Sequence, residues 1–332
     1  MLKETPDGLY CEDGNFFVDP WGVVPRAIVT HAHGDHARPG SAAYLCARPG
    51  LDLLRRRVGP EAVLEGVAYG QRITQGRTVV SLHPAGHVLG SAQSASKARA
   101  ASGWWPATTS ARPIQPARRS SRSPATCSSP RARSDCPSIR WTRPARSSAS
   151  SWTGGRPPAS GQAAVVFCYT IGKAQRLLAE LAQVTDRTIL VHGMLVPPTE
   201  IYREAGVSMA PTETLVERAR GRSLAGELVL APPSARGTPW MRRLGDYADA
   251  LTSGLMRVRG VRRQRAYDRG FVLSDHADWP ALLQTVADTG ASRVLATHGH
   301  AEPLARYLRE QGLDAGVIRT AWEGERGMDD AE

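Results

Sequence analysis

No run of 18 apolar residues occurs among the 332 residues, so no segment reads as a membrane-spanning helix. Residues 1–10 lack the apolar centre of a secretory signal, and the expected compartment is the cytoplasm. Cysteine is scarce. The five present (Cys11, Cys46, Cys127, Cys136 and Cys168) are odd in number and never spaced CxxC, which argues against a disulfide framework or a thiolate zinc site and fits a reducing environment. Internal repeats are absent. The length suffices for one full core and a second module.

Acidic residues are missing from one place in particular. Ser94–Pro158 holds 12 basic residues and a single acid, Asp135, while the remainder carries 30 of each sign, so the formal net charge of +11 is entirely local. The same 65 residues contain no Leu, Val, Phe or Met, but 15 Ser, nine Pro and four Trp. Such a composition buries too little apolar surface to offset its ordering entropy, and the segment is expected to be disordered or misfolded. One reading is a basic linker that holds nucleic acid. The other is translation out of frame, and the genetic code favours it. Read one base earlier, the codons from Gly103 to Ala111 permit Val-Val-Ala-Gly-Asp-Tyr-Lys-Arg, with the second Val and the Ala forced by the unique Trp codon. Those from Arg146 to Gly155 permit Glu-Val-Val-Arg-Glu-Leu-Val-Asp-Trp-Trp, which has amphipathic helical spacing. The hypothesis is a pair of compensating frame errors near Gln93 and Ala159; a clean nucleotide read without an indel at either edge removes it.

Outside that stretch, strands are predicted at Asn15–Val18, Ala27–Thr30 and Arg77–Leu82, with a helix at Leu51–Arg57. Ala163–Tyr169 reads as a buried strand, and Ala174, Leu177, Leu178 and Leu181 recur at the spacing of one helical face. Thr188–Val191, Glu227–Ala231, Gly270–Ser274 and Arg293–Thr297 are further strands. Helices are expected over Trp279–Ala287, capped by Asp278, and over Pro303–Gln311, stopped by Gly312. The alternation is that of an α/β protein.

Six residues carry most of the chemistry: His31-Ala32-His33-Gly34-Asp35-His36. Three imidazoles and a carboxylate crowd one loop at the carboxyl end of a predicted strand, where packing alone gives no reason for them and desolvation would penalise them. Nitrogen and oxygen donors of this kind suit zinc and similar borderline metals. Most of the nine histidines lie just beyond strands. His87 sits between glycines in Gly86-His87-Val88-Leu89-Gly90-Ser91, His276 in Ser274-Asp275-His276-Ala277-Asp278, and His298 in Thr297-His298-Gly299-His300. Asp19 closes the strand Phe16-Phe17-Val18. His83 and His192 read as structural or exposed, and His300 is the rival of His298.

Taken together, these motifs resemble the metallo-β-lactamase superfamily and, within it, the β-CASP nucleases, specifically the bacterial ligase-associated DNA exonucleases related to messenger-RNA 3′-end-processing enzymes. The resemblance covers roughly residues 9–93 and 161–322. It implies a four-layer αββα sandwich with an inserted α/β module. The expected divisions are 1–93 for the first half of the sandwich, 94–158 for the aberrant segment, 159–262 for the β-CASP module, 263–322 for the return of the sandwich and 323–332 for a tail. It also implies two zinc ions, with manganese as the alternative: His31, His33 and His87 for one, and Asp35, His36 and His298 for the other. Asp19 would orient ligands and His276 would serve as general acid. DNA would be the substrate in preference to RNA, with an ATP-dependent ligase and a helicase as partners. The pattern departs from the family where a Gly-Asp-Tyr or Gly-Asp-Phe turn supplies a bridging carboxylate, for Pro106-Ala107-Thr108-Thr109 stands there instead. The acidic residue of a Thr-Glu-x-Thr-Phe-like turn is missing too. The chain as written is therefore expected to be weakly active or inactive. A small-molecule metallo-hydrolase and an inactive nucleic-acid-binding protein are the competing functions; a middle module of about 100 residues favours a polymer substrate over the first.

Overall fold

The computed structural model describes residues 2–98, 101–106, 126–132, 161–218, 223–258, 267–299 and 301–318. The described residues divide into two compact units, one formed by residues up to 132 together with those from 276 onward, the other by residues 161–275.

The first unit is built on two mixed sheets. In one, β1 (Leu2–Thr5), β2 (Gly8–Cys11) and β3 (Phe16–Val18) form an antiparallel ribbon. It continues in parallel through β4 (Ala27–Ile28), β5 (Tyr44–Ala47) and β6 (Leu64–Val67). The other runs in the order β19-β18-β11-β10-β9-β8-β7. Here β7 (Ile73–Gln75), β8 (Thr78–Pro84), β9 (Ala92–Ala98) and β10 (Ala101–Pro106) are antiparallel. Then β11 (Thr126–Ala132), β18 (Arg293–Gly299) and β19 (Asp314–Val317) add in parallel. Phe16, Val18, Ile28 and Leu45 of the first sheet share one core with Val80, Leu82 and Ala92 of the second, so the two sheets pack face to face. Helix α1 (Leu51–Val58) lies against β5 and β6.

The helices at the far end of the chain cover β18 and β19. Trp279 and Val286 of the helix Trp279–Thr289 join Leu304 and Leu308 of the helix Ala301–Glu310 around Val294, Ala296 and Ala315. Asp278 caps the former, its Oδ1 accepting from Ala281 N at 3.0 Å. The latter begins two residues before Pro303, because a proline in the first turn forfeits no intrahelical hydrogen bond.

Within 94–158 the described residues are Ser94–Ala98, β10 and β11, which pair as strands. Ladder hydrogen bonds come from the backbone and do not require large side chains: Leu82 faces Ser94 and Val80 faces Ser96 across β8 and β9. The rest of that segment, including the positions of the shifted Gly-Asp-Tyr, lies outside the described residues, as does 323–332.

The second unit is a wholly parallel six-stranded sheet, β14-β13-β15-β12-β16-β17. In chain order these strands are β12 (Ala163–Phe167), β13 (Ile189–Val191), β14 (Thr212–Thr214), β15 (Leu228–Ala231), β16 (Tyr247–Thr252) and β17 (Arg269–Phe271). Ala164 and Val166 face one core with Ala174, Leu177, Leu178 and Leu181 of α2 (Lys173–Leu181), while Ala163, Val165 and Phe167 face another with Met241, Leu244 and Met256. Burial on both faces explains why this strand is apolar at every position.

Candidate metal centre

The strand leading to the histidine loop ends at Ile28, two residues earlier than its apolar run suggests. Val29 N still donates to Leu45 O at 2.8 Å, but Thr30 N donates to Asp19 Oδ1 at 2.8 Å. A carboxylate thus takes the place of the next ladder partner and turns the chain into the loop. Asp19 reaches it from the end of β3 with φ 44°, a left-handed conformation that Asp and Asn adopt more readily than other side chains.

The other carboxylate oxygen of Asp19 orders two imidazoles. Oδ2 lies 2.6 Å from His36 Nδ1 and also accepts from Thr30 Oγ1, which stands 3.2 Å from His31 Nδ1. Since a carboxylate only accepts, the network assigns the proton of His36 to Nδ1, and the hydroxyl relay suits the same tautomer in His31. Nε2 of both rings then keeps its lone pair, the usual arrangement behind a metal-ligating histidine. Asp35 Oδ2 lies 3.7 Å from His36 Nε2, and His31, Asp35 and His36 are all buried.

His87 arrives from the second sheet. Ser91 Oγ accepts from the backbone of His87 at 3.0 Å and of Val88 at 3.2 Å, closing the loop. Gly90, at φ 74°, rests directly on Gly50 at the start of α1; a Cβ there would lie 2.1 Å from Gly50 Cα. The fully buried His87 presents Nε2 to His33 Nδ1 at 3.1 Å, and its ring centroid is 4.9 Å from that of His31 and 4.6 Å from that of His276.

One ring nitrogen from each of His31, His33 and His87 falls within 4.8 Å of the other two. A tetrahedral zinc with Zn–N of about 2.0–2.1 Å needs nitrogens roughly 3.3 Å apart, so this donor set fits a divalent ion after small rotations. Two imidazole nitrogens facing each other at 3.1 Å also hold at most one proton between them, and a cation suits the same lone pairs. The structure therefore brings His31, His33, Asp35, His36, His87, His276 and Asp19 into one cluster. His298 lies on β18, but its side chain and all of His300 fall outside the described residues.

Thr30 and Ser91 are contributors that residue chemistry alone did not single out; their adjacency to His31 and their place in the His87 motif were the available signals. His83 and His192 make local contacts of their own. His83 Nε2 lies 3.0 Å from Ser81 Oγ, and His192 Nδ1 accepts from Met194 N at 3.1 Å while its ring packs on Trp240. Burial lowers the pKa of both.

The chain is 29% identical over 330 residues to a probable DNA ligase of Opitutus terrae (strain DSM 11246 / JCM 15787 / PB90-1). The match takes in 94% of this chain and only 30% of that protein, so the chain spans less than a third of the relative's length. No protein-family model matches. Among solved structures, a protein of unknown function from Enterococcus faecalis V583 shares the fold, with a TM-score of 0.55 and 10% identity over 90% of this chain and 79% of that one. The findings establish a mixed α/β protein, distantly related to a probable DNA ligase, with a buried His/Asp cluster able to hold metal. No helix among the described residues is long and apolar enough to cross a membrane.

Proposed function

We propose that the chain is a metal-dependent phosphodiester hydrolase of the metallo-β-lactamase superfamily, β-CASP branch, and that its ancestral activity is that of a DNA exonuclease working beside a DNA ligase. The observation carrying this reading is the convergence of His31, His33 and His87 from two different sheets, backed by a carboxylate that fixes the His36 tautomer. Two face-to-face sheets flanked by helices are what the αββα sandwich requires, and the match to part of a probable DNA ligase supports the nucleic-acid context.

His31, His33 and His87 would hold one cation, and Asp35, His36 and His298 the second. When bound, such a pair of ions supplies an activated water and clamps the nonbridging oxygens of the phosphodiester. Asp19 holds His36 and Thr30 in place, Ser91 holds the His87 loop, and His276 delivers a proton to the leaving oxygen. The missing bridging acid belongs to the same proposal. In the shifted frame its codon straddles positions 107 and 108, just beyond the end of β10 at Pro106.

The test uses end-labelled single- and double-stranded DNA and RNA with zinc or manganese. The chain as written is expected to cleave weakly or not at all. The frame-restored gene product should degrade DNA, and His87→Ala should abolish that activity. Full metal-dependent nuclease activity with two bound ions in the unrestored chain would overturn the frame reading, and an inert restored protein would overturn the nuclease reading.

A further inference from the structure

Helix α2 of the second unit carries two cations that the chemistry above does not use. Lys173 opens the helix and is almost wholly buried; its Nζ lies 3.6 Å from the equally buried carboxylate of Asp275 and 4.2 Å above the Tyr169 ring. One turn on, Arg176 Nη1 donates to the backbone oxygen of Ser274 at 2.6 Å, while Arg176 Nε donates to Glu180 Oε1 at 3.1 Å. Both contacts therefore land on consecutive residues, Ser274 and Asp275, immediately before His276.

The helix end that bears them is tied by side-chain hydrogen bonds. Gly172 N donates to Gln175 Oε1 at 2.8 Å, and the buried Gln175 donates from Nε2 to Thr170 O at 2.9 Å and Thr199 Oγ1 at 3.2 Å. Downstream of His276 the chain is fixed again by the Asp278 cap, with Ala277 buried between. Only His276 and Ala277 separate the two anchors. A buried ion pair gives little stability that a well-packed apolar pair would not also give, whereas its directionality sets where a chain must pass.

We propose that Lys173 and Arg176 are positioning residues: a two-point clamp on Ser274 and Asp275 that sets the orientation of the His276 imidazole. The use of that orientation, proton delivery, rests on the function proposed above; the orientation itself does not. Misplacing a reacting group by about 1 Å can cost on the order of 100-fold in rate, so a clamp so near the proposed proton donor would bear directly on turnover.

The experiment records the Cε1–H correlation spectrum of the full chain labelled with 13C-histidine, with the His276 signal assigned by its loss in His276→Gln. Lys173→Met should shift or broaden the His276 signal and raise amide exchange at residues 274–276 by about tenfold or more, leaving the signals of His83 and His192 in place. Lys173→Arg, which keeps the cation over Tyr169, should return the His276 signal toward its native position. Arg176→Ala, which leaves the ion pair intact, should produce a smaller change of the same kind and carries the test alone if Lys173→Met does not fold. An unmoved His276 signal in the folded variants, or a displacement of all histidine signals together, overturns the clamp. If His276 is released as expected but no form of the chain cleaves nucleic acid, the clamp stands and the functional reading falls.

Discussion

Substituting Asn for Asp19 keeps the size of the side chain and suits the left-handed backbone at φ 44°, so the fold should tolerate it. What changes is hydrogen-bond polarity. The amide oxygen can still accept from Thr30 N in place of Oδ1, but its NH2 group then faces His36 Nδ1 where an acceptor stood at 2.6 Å. His36 must answer by accepting at Nδ1 and carrying its proton on Nε2, the nitrogen needed for a metal. Loss of such a supporting carboxylate typically weakens metal affinity by about 10–100-fold, equivalent to about 1.4–2.8 kcal/mol. The side chains involved are 16% and 6% exposed, so solvent screens little of that effect. Isothermal titration with zinc or manganese against a competing chelator reads it directly. Affinity within twofold of the unsubstituted protein at every site would refute the tautomer argument and the assignment of His36 as a ligand.

Other outcomes follow from the same contacts. Gly90→Ala drives a Cβ into the backbone of Gly50 at a left-handed position, and should cost about 2 kcal/mol or more in denaturant unfolding while weakening metal binding through His87. Free zinc at about 100 times its Kd should stabilise the protein by about 2.7 kcal/mol, raising Tm by about 5 °C or more over the EDTA-treated form; an identical Tm in both would count against a metal centre. Burial pushes the thiols of Cys46 and Cys168 up to about 12. Both should resist Ellman's reagent at pH 8 until the chain unfolds, as followed by peptide mass spectrometry. Because their folded pKa lies above the ordinary 9.0, the stability they contribute is whole below pH 9 and drains away as pH rises toward 12, visible as a falling urea midpoint.

Sequence periodicity located the strands that are buried on both faces and the helices with a continuous apolar stripe, such as Ala163–Phe167 and Lys173–Leu181, because those signals are local. It did not find β10, whose Ala, Ser, Gly, Trp and Pro residues give no alternating pattern, or β11, whose Ser, Pro and Arg residues give none either and which pairs with the distant β18. The metal cluster was legible for a chemical reason: His31, His33, Asp35 and His36 are adjacent, and His87 carries its own glycine frame. Thr30 and Ser91 escaped notice because hydroxyls occur in every loop, and only three-dimensional contacts separate these two from the rest. The Lys173–Asp275 pair spans more than 100 positions and leaves no local trace.

The backbone contact between Gly50 and Gly90 has a consequence for how this protein can change. With no side-chain atoms between them to yield, Gly90 offers no slack and Gly50, where a Cβ would lie 3.1 Å from Gly90 Cα, offers little, so the start of α1 is geared to the seat of His87. Saturation libraries at these two sites, far apart in the gene, should return glycine at position 90 and only the smallest residues at position 50 whenever cation binding is selected. Gly59, at the other end of the same helix, where an added Cβ meets open space, has only its backbone torsion to restrain it.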